Sequence, residues 1–303
     1  MKICNFFSFN NEEIIKPLLR GKDIQKWKIN YKNFYLIFTR RGININKYPI
    51  IKDYLSIYKE DLTPKSKNSN KTSKGRKPGP YKWYEIQDNV AYFSSFEKKK
   101  IIYSIISSEP QFVLDENGYY MLDSCFILNS KTLNLNYLLA LLNSKLLFWY
   151  FKDICYSLNK RGFQYKKIFM EQMPIKFSKN HEFEINKLVE SILTLNKIIP
   201  LEIKKFHVYL KECLQVTKLP KNLNEFYKLS DDDFFNELEK INNLDDNLII
   251  NEIFKKFILF KSKIDSMDQK NKYLNQSIDT LIYKIYDLNP DEIKIIEEEL
   301  NNL

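Results

Sequence analysis

Three short loops ahead of residue 168 carry the side chains that hold polyanions. The densest is Gly75-Arg76-Lys77-Pro78-Gly79-Pro80-Tyr81-Lys82-Trp83-Tyr84, preceded by Lys74. Its Gly and Pro residues shape a loop, its cations can meet phosphates or guanine edges, and its rings can pack or stack. The second is Asn159-Lys160-Arg161-Gly162-Phe163-Gln164-Tyr165-Lys166-Lys167, which adds two amides of the kind that fork onto adenine. The third, Thr39-Arg40-Arg41-Gly42, closes a β-prone run. These loops supply the candidate DNA contacts Arg40, Arg41, Lys74, Arg76, Lys77, Lys82, Lys160, Arg161, Lys166 and Lys167. Gln87, Asn159 and Gln164 are the candidate base readers. A lone basic loop is ordinarily a solvated one, and Trp83 reads as a core residue beside such a loop. Three in one segment favour a shared face.

Charge elsewhere supports that choice. Residues 1–180 carry 31 Lys and Arg against 15 Asp and Glu, whereas residues 181–303 carry 17 against 23. Codon bias of an AT-rich genome would raise lysine in both halves alike, so the asymmetry stands apart from it. A basic body with a mildly acidic tail fits a polyanion on one half and a protein partner on the other.

Catalytic signatures are missing. The sequence holds no Gly-rich phosphate loop, no GxSxG and no Asn/Asp-Pro-Pro-Tyr/Phe methyltransferase tetrapeptide. Acidic-x-Lys pairs of the nuclease type occur at Glu97-Lys98-Lys99, Glu202-Ile203-Lys204 and Asp291-Glu292-Ile293-Lys294, none with an upstream acidic partner on a plausible strand. Asp231-Asp232-Asp233 follows Ser230 and reads as a helix N-terminus favoured by the macrodipole, not a cation site. Lys74-Gly75-Arg76 lacks the Arg-Gly-Arg-Pro of an AT-hook. The two histidines, His181 and His207, have no Cys pair near them, and Cys4, Cys125, Cys155 and Cys213 follow no regular spacing. We therefore expect no catalytic residue, metal or cofactor, and free thiols in a reducing cytoplasm. No signal-peptide pattern opens the sequence, and the most apolar run, residues 137–151, is too short for a bilayer.

The elements that must position the loops make an α+β chain. Residues 34–38, 101–106 and 119–128 are β-prone, the last entered by the turn signal Glu116-Asn117-Gly118. Residues 137–152 read as one buried helix, and residues 64–80 as a mobile polar loop. Beyond Pro174 the pattern turns helical. Ile185, Leu188, Ile192, Leu195 and Ile199 alternate in steps of three and four, as do Ile264, Met267, Asn271, Leu274, Ile278, Leu281, Ile285 and Leu288. The spacing predicts two helices packed as an antiparallel, coiled-coil-like pair, with Asn271 at a register-fixing core position; an ordinary helical hairpin accounts for it equally well. Breaks are expected at Pro200 and Pro220, and a capped helix from Asn289.

Several stretches then take on a family resemblance: LRGKDI (19–24), KWYEIQ (82–87), IIYSIISSEP (101–110), LNSKLLFWYF (142–151), IFMEQMP (168–174) and IDTLIYKIYDL (278–288) followed by Asp291-Glu292-Ile293. In this order they resemble the TaqI-like C-terminal specificity region of type IIG restriction–modification enzymes and adenine-N6 DNA methyltransferases. The resemblance implies an α/β target-recognition domain over residues 1–178, lying on double-stranded DNA, and a helical spacer over residues 179–303. It also implies that an adenine-N6 methyltransferase or nuclease subunit or domain carries the chemistry, with a homodimer through the C-terminal helices as the other use of that spacer. Base contacts vary within the family, so none is carried over. With Met1 and no catalytic motif, a stand-alone specificity subunit, a split-gene product and an excised fragment all remain open. A basic module for RNA or an acidic protein, and a remnant nuclease, are the rival readings.

Overall fold

The computed structural model describes residues 11–68, 72, 74–159, 162–241 and 247–302. The chain divides into two compact units, one of residues Met1–Lys131 with Ser157–Lys166 and one of Thr132–Tyr156 with Lys167–Leu303.

The first unit is built from short strands: β1 (Ile15–Leu19), β2 (Ile24–Gln25), β3 (Lys28–Ile29), β4 (Tyr35–Ile37), β5 (Lys100–Ser104), β6 (Ile106–Ser107), β7 (Phe112–Asp115), β8 (Tyr120–Met121), β9 (Cys125–Leu128) and β10 (Phe163–Gln164). Two small helices, α1 (Pro49–Ser56) and α2 (Lys59–Leu62), lie between β4 and β5. β1 is central to one sheet, antiparallel to β4 and parallel to β8. β5 is central to another, antiparallel to β7 and β9, and every one of its residues is buried. A strand covered on both faces reads as a continuous apolar run, as Ile101-Ile102-Tyr103 does. Its one charge, Lys100, lies opposite Asp115 on β7; both are fully buried and ion-paired. Asp115 also accepts from the Asn117 and Tyr119 amides at 2.8 and 2.9 Å, closing the expected turn at Gly118, whose φ is +72°.

LRGKDI is the corner leaving β1. Asp23 is buried and takes two bonds from the Arg20 guanidinium, at 2.9 and 2.8 Å, and one from its amide at 3.0 Å. A Cβ on Gly21 would lie 2.8 Å from Ser104 Oγ and 3.2 Å from the Ser124 carbonyl, so a larger residue at this corner would have to displace its neighbours. Hydrogen bonding from Arg20 holds the Asp23 carboxyl below the ordinary aspartate value. A folded-state value depressed below the unfolded one, near about 4, gives stability that is complete above that pH and vanishes as pH falls through the folded value. Asp23→Asn is therefore expected to lower the urea midpoint at neutral pH, with the two proteins' midpoints converging in acid.

The second unit is helical: α3 (Leu135–Leu142), α4 (Lys145–Ile154), α5 (Lys167–Met170), α6 (Lys179–Cys213), α7 (Lys221–Asn224), α8 (Asp231–Glu239), α9 (Asn247–Ile285) and α10 (Pro290–Asn301). The single helix expected over residues 137–152 is two. The break falls at Asn143, and Ser144 restarts the chain as an N-cap, accepting from the Leu147 amide at 3.3 Å. α6 and α9 run antiparallel, since their partners descend on one as they ascend on the other. Asn196 accepts from Asn271 at 3.1 Å, Glu202 pairs with Lys263 at 2.8 Å, and the Phe206 and Phe260 ring centroids are 5.3 Å apart. The amide at the core position is thus partnered across the pair. One end of this pair is filled by aromatics from the intervening segment, with Phe234 stacked on Phe257 at 3.8 Å. Asp231–Asp233 form the first turn of α8, capped by Ser230, and Asn289 with Glu292 makes the reciprocal cap of α10.

Pro200 does not break its helix; α6 runs through it to Cys213. Proline removes one ladder bond and crowds the carbonyl four residues back, at a cost of about 3 kcal/mol in a helix interior. Burial of Ile192 and Leu195 before it and of Phe206 and Leu210 after it holds both halves on one axis. Pro200→Ala is expected to stabilise the protein by about 1–2 kcal/mol, after allowing for the freer unfolded chain, as a shift in the urea midpoint.

The division into units differs from a boundary at residue 178. α3 packs on α6, and α4 packs on α9 and α10. The Lys145 amide donates to Asp279 at 2.9 Å, and Trp149 Nε1 to Glu299 at 2.8 Å. The change in composition follows the chain, whereas packing draws residues 132–156 onto the later helices. Among the described residues no helix is long and apolar enough to cross a membrane.

Candidate nucleic-acid interface

Two of the three basic loops are one structure. Beyond β4 the chain passes through buried Phe38 and Thr39 and runs beside residues 81–87. The Ile86 amide donates to the Thr39 carbonyl at 2.8 Å, and the Thr39 hydroxyl donates to the Tyr84 carbonyl. Glu85 is buried between the loops. One of its oxygens accepts from the Gly42 amide at 2.9 Å and the other from the Lys82 amide at 2.8 Å. Gly42 makes its turn at φ +82°, in the left-handed region. A carboxylate bonded to amides of both basic loops fixes them against each other.

The arginines divide by role. Arg41 donates to the Gln87 carbonyl and lies 5.8 Å from the centre of the Tyr81 ring. Its buried Nε has no acceptor among the described residues. Arg76 donates to the Leu62 carbonyl at 2.6 Å and the Trp83 carbonyl at 3.0 Å, and stacks 4.7 Å over Tyr81. Burial pulls its guanidinium below the ordinary arginine value. Its backbone pairs with Thr63 and Lys65, so the part of the 64–80 stretch nearest it is anchored. Gly75 permits that approach: at φ +108° its Cβ would meet the Thr63 carbonyl at 2.5 Å. Tyr81 is the buried ring of the loop, and Trp83, expected in the core, is half-buried under Lys59.

Arg40, Lys74, Lys77 and Lys82 are exposed. Arg40 lies 5.2 Å over Phe93, Lys82 5.8 Å over Tyr84, and Lys74 pairs with Glu60 at 3.3 Å. Gln87 is half-buried and lines a cavity of about 590 Å³ with Leu36, Tyr92 and Phe126.

The third loop belongs to other strands. Gln164 lies in β10, paired with Ile106 on β6, and Gly162 turns at φ +94° against the Ser107 carbonyl. Asn159 is exposed in a left-handed turn at φ +54°, and its carbonyl accepts from the Gly162 amide at 3.1 Å. Lys166 is exposed, whereas Lys167 opens α5 in the helical unit and pairs with Glu171 at 3.3 Å. Lys160 and Arg161 lie outside the described residues. Among the described residues no His, Cys, Asp and Glu cluster could hold a metal ion. Sequence reasoning passes over Glu85; the available signal is that it is the sole carboxylate between Asp61 and Asp88.

Residues 16–175 match the TaqI-like C-terminal specificity domain, more than half of the chain. The chain belongs to that family. The TaqI-like specificity domain takes in both joined loops and the β6–β10 pair. It is a domain of specificity and not of catalysis. Residues 178–282 match a domain of unknown function, DUF8810, which takes in α6 and most of α9.

Proposed function

We propose that this protein is the non-catalytic target-recognition module of a restriction–modification system. It reads a duplex DNA sequence and directs an adenine-N6 methyltransferase, a nuclease or both to it. The observation that carries the reading is the pair of basic loops fixed together by Glu85 within a specificity-domain family. Arg40, Lys77 and Lys82 meet phosphates or guanine edges, while Arg41 and Arg76 hold the loops in shape. Lys74, Lys166 and Lys167, with Lys160 and Arg161, extend the phosphate contacts. Gln87, Asn159 and Gln164 are the base readers. The helical region 179–303 is the docking part for the catalytic chain or for a second copy. The protein works in the cytoplasm and needs no cofactor of its own.

Competition tests this. A labelled duplex bound by the full chain is challenged with unlabelled duplex and with structured RNA of equal length. The reading expects duplex DNA to displace the label at lower concentration, with an affinity that falls as salt rises. More effective displacement by RNA contradicts it, as does metal-dependent cleavage of the duplex by the purified chain.

A further inference from the structure

Between residues 14 and 52 the chain carries ten Lys and Arg and one acid, Asp23. That acid is buried and occupied by Arg20. The β2–β3 hairpin and the loop into β4 therefore present cations with no exposed carboxylate of their own, and Lys22, Lys28 and Lys32 are exposed. Two aromatic residues of the same segment are exposed, Phe34 at 44% and Tyr35 at 38%. Burial elsewhere in the unit would be the ordinary place for such rings.

Phe34 is held in position. The Arg20 guanidinium, itself fixed by two bonds to Asp23, lies 4.0 Å from the centre of the Phe34 ring. The Phe34 carbonyl accepts from the Leu18 amide at 2.8 Å and from the Tyr31 hydroxyl at 2.7 Å. Asn33, at φ +56°, makes the left-handed turn that delivers Phe34 to the strand. Tyr31 in turn packs edge-on to Tyr35 and at 5.0 Å to Tyr119. A ring fixed by a planar cation, on a segment with exposed lysines, is the arrangement that stacks on a nucleic-acid base while the cations hold the backbone.

We infer that the hairpin surface of Arg20, Lys22, Lys28, Lys32 and Phe34 is a second DNA contact, on which Phe34 stacks against a base lifted from the duplex. Arg20 is a positioning residue for that ring, and the lysines take the flanking phosphates. This rests on the DNA-recognition reading and adds to it a contact outside the joined loops. In a module that serves a base-modifying enzyme, a ring that meets an unstacked base favours the distorted duplex over the regular one.

The test uses the full chain and two probes, a fully paired duplex and the same duplex with a one-nucleotide gap. Binding is followed by anisotropy at several salt concentrations. Phe34→Ala is expected to lose about tenfold on the gapped probe and little on the paired one, with its salt slope unchanged. Phe34→Trp retains the preference. Arg20→Lys keeps the charge and loses the preference, because an ammonium cannot fork onto Asp23 and stack at once. Lys28→Ala and Lys32→Ala each lower the salt slope by about one. Unchanged urea midpoints for the Phe34 variants exclude unfolding as the cause. Equal affinity of Phe34→Ala and the unaltered chain for the gapped probe, or equal losses on both probes, overturns the inference. A chain that binds neither probe overturns the DNA-recognition reading itself, so the two failures are distinct.

Discussion

Glu85→Leu loosens the joined loops and costs the fold about 2–3 kcal/mol. The side chain is buried and accepts from two backbone amides, those of Gly42 and Lys82, on separate loops. Leucine fills the space and leaves both donors without an acceptor; each buried, unpartnered donor costs about 1–3 kcal/mol, and the lower figure applies where water can reach it, as at exposed Gly42. The Thr39–Ile86 and Arg41–Gln87 bonds remain, so the loops shift against each other and the unit still folds. DNA affinity is expected to fall further than stability alone would make it, since the two loops' cations lose their common frame. Glu85→Gln keeps one carbonyl acceptor and should retain part of both properties. Urea midpoints and duplex anisotropy on the same preparations read the two effects. A midpoint within about 0.5 kcal/mol of the unaltered protein, with DNA affinity unchanged, would show that the carboxylate is not what joins the loops.

Reversing Arg40 and Lys82 together to glutamate is expected to weaken duplex binding about a hundredfold at 0.1 M salt, at about tenfold per side chain. The salt slope should fall by about two, one for each phosphate no longer neutralised. Both side chains are exposed, and among the described residues neither holds the fold through a side-chain hydrogen bond to the backbone, so the effect on stability should be small beside that on binding. Arg76 is the poorer place for this experiment: its guanidinium holds the Leu62 and Trp83 carbonyls, and its reversal would deform the loop. Affinity within about threefold of the unaltered chain, with the slope unchanged, would place the DNA on some other surface.

These variants separate what the chain's order reveals from what only folding assembles. The helical pair is legible because Ile185 to Ile199 and Ile264 to Leu288 each keep a local three-and-four alternation, and because one chain supplying both helices brings them together antiparallel. The break at Asn143-Ser144 is not, since two polar residues inside an apolar run also suit one helix; Ser144 acts as a cap only with the Leu147 amide in place. Pro200 misleads for the opposite reason, that buried side chains on both sides outweigh the lost bond. At the candidate interface, residue type singles out the cations as a class. Which of them point outward depends on partners distant in the chain, Leu62 for Arg76 and Gln87 for Arg41. Glu85 is hidden for the same reason: one of its two acceptor bonds reaches Gly42, across the whole of α1 and the 64–80 stretch. Phe34 passes for an ordinary strand residue in the sequence, and only the folded Arg20–Asp23 corner puts a cation over its face.

The central claim is that this chain reads a DNA sequence. Selection of bound duplexes from a random library by the purified full chain, at two salt concentrations, addresses it most directly. The account predicts enrichment of a discrete motif that persists at the higher salt, because base contacts survive the screening that removes phosphate attraction. Binding that collapses at the higher salt and leaves no motif would contradict it, reducing the joined loops to a surface that holds phosphate without reading bases.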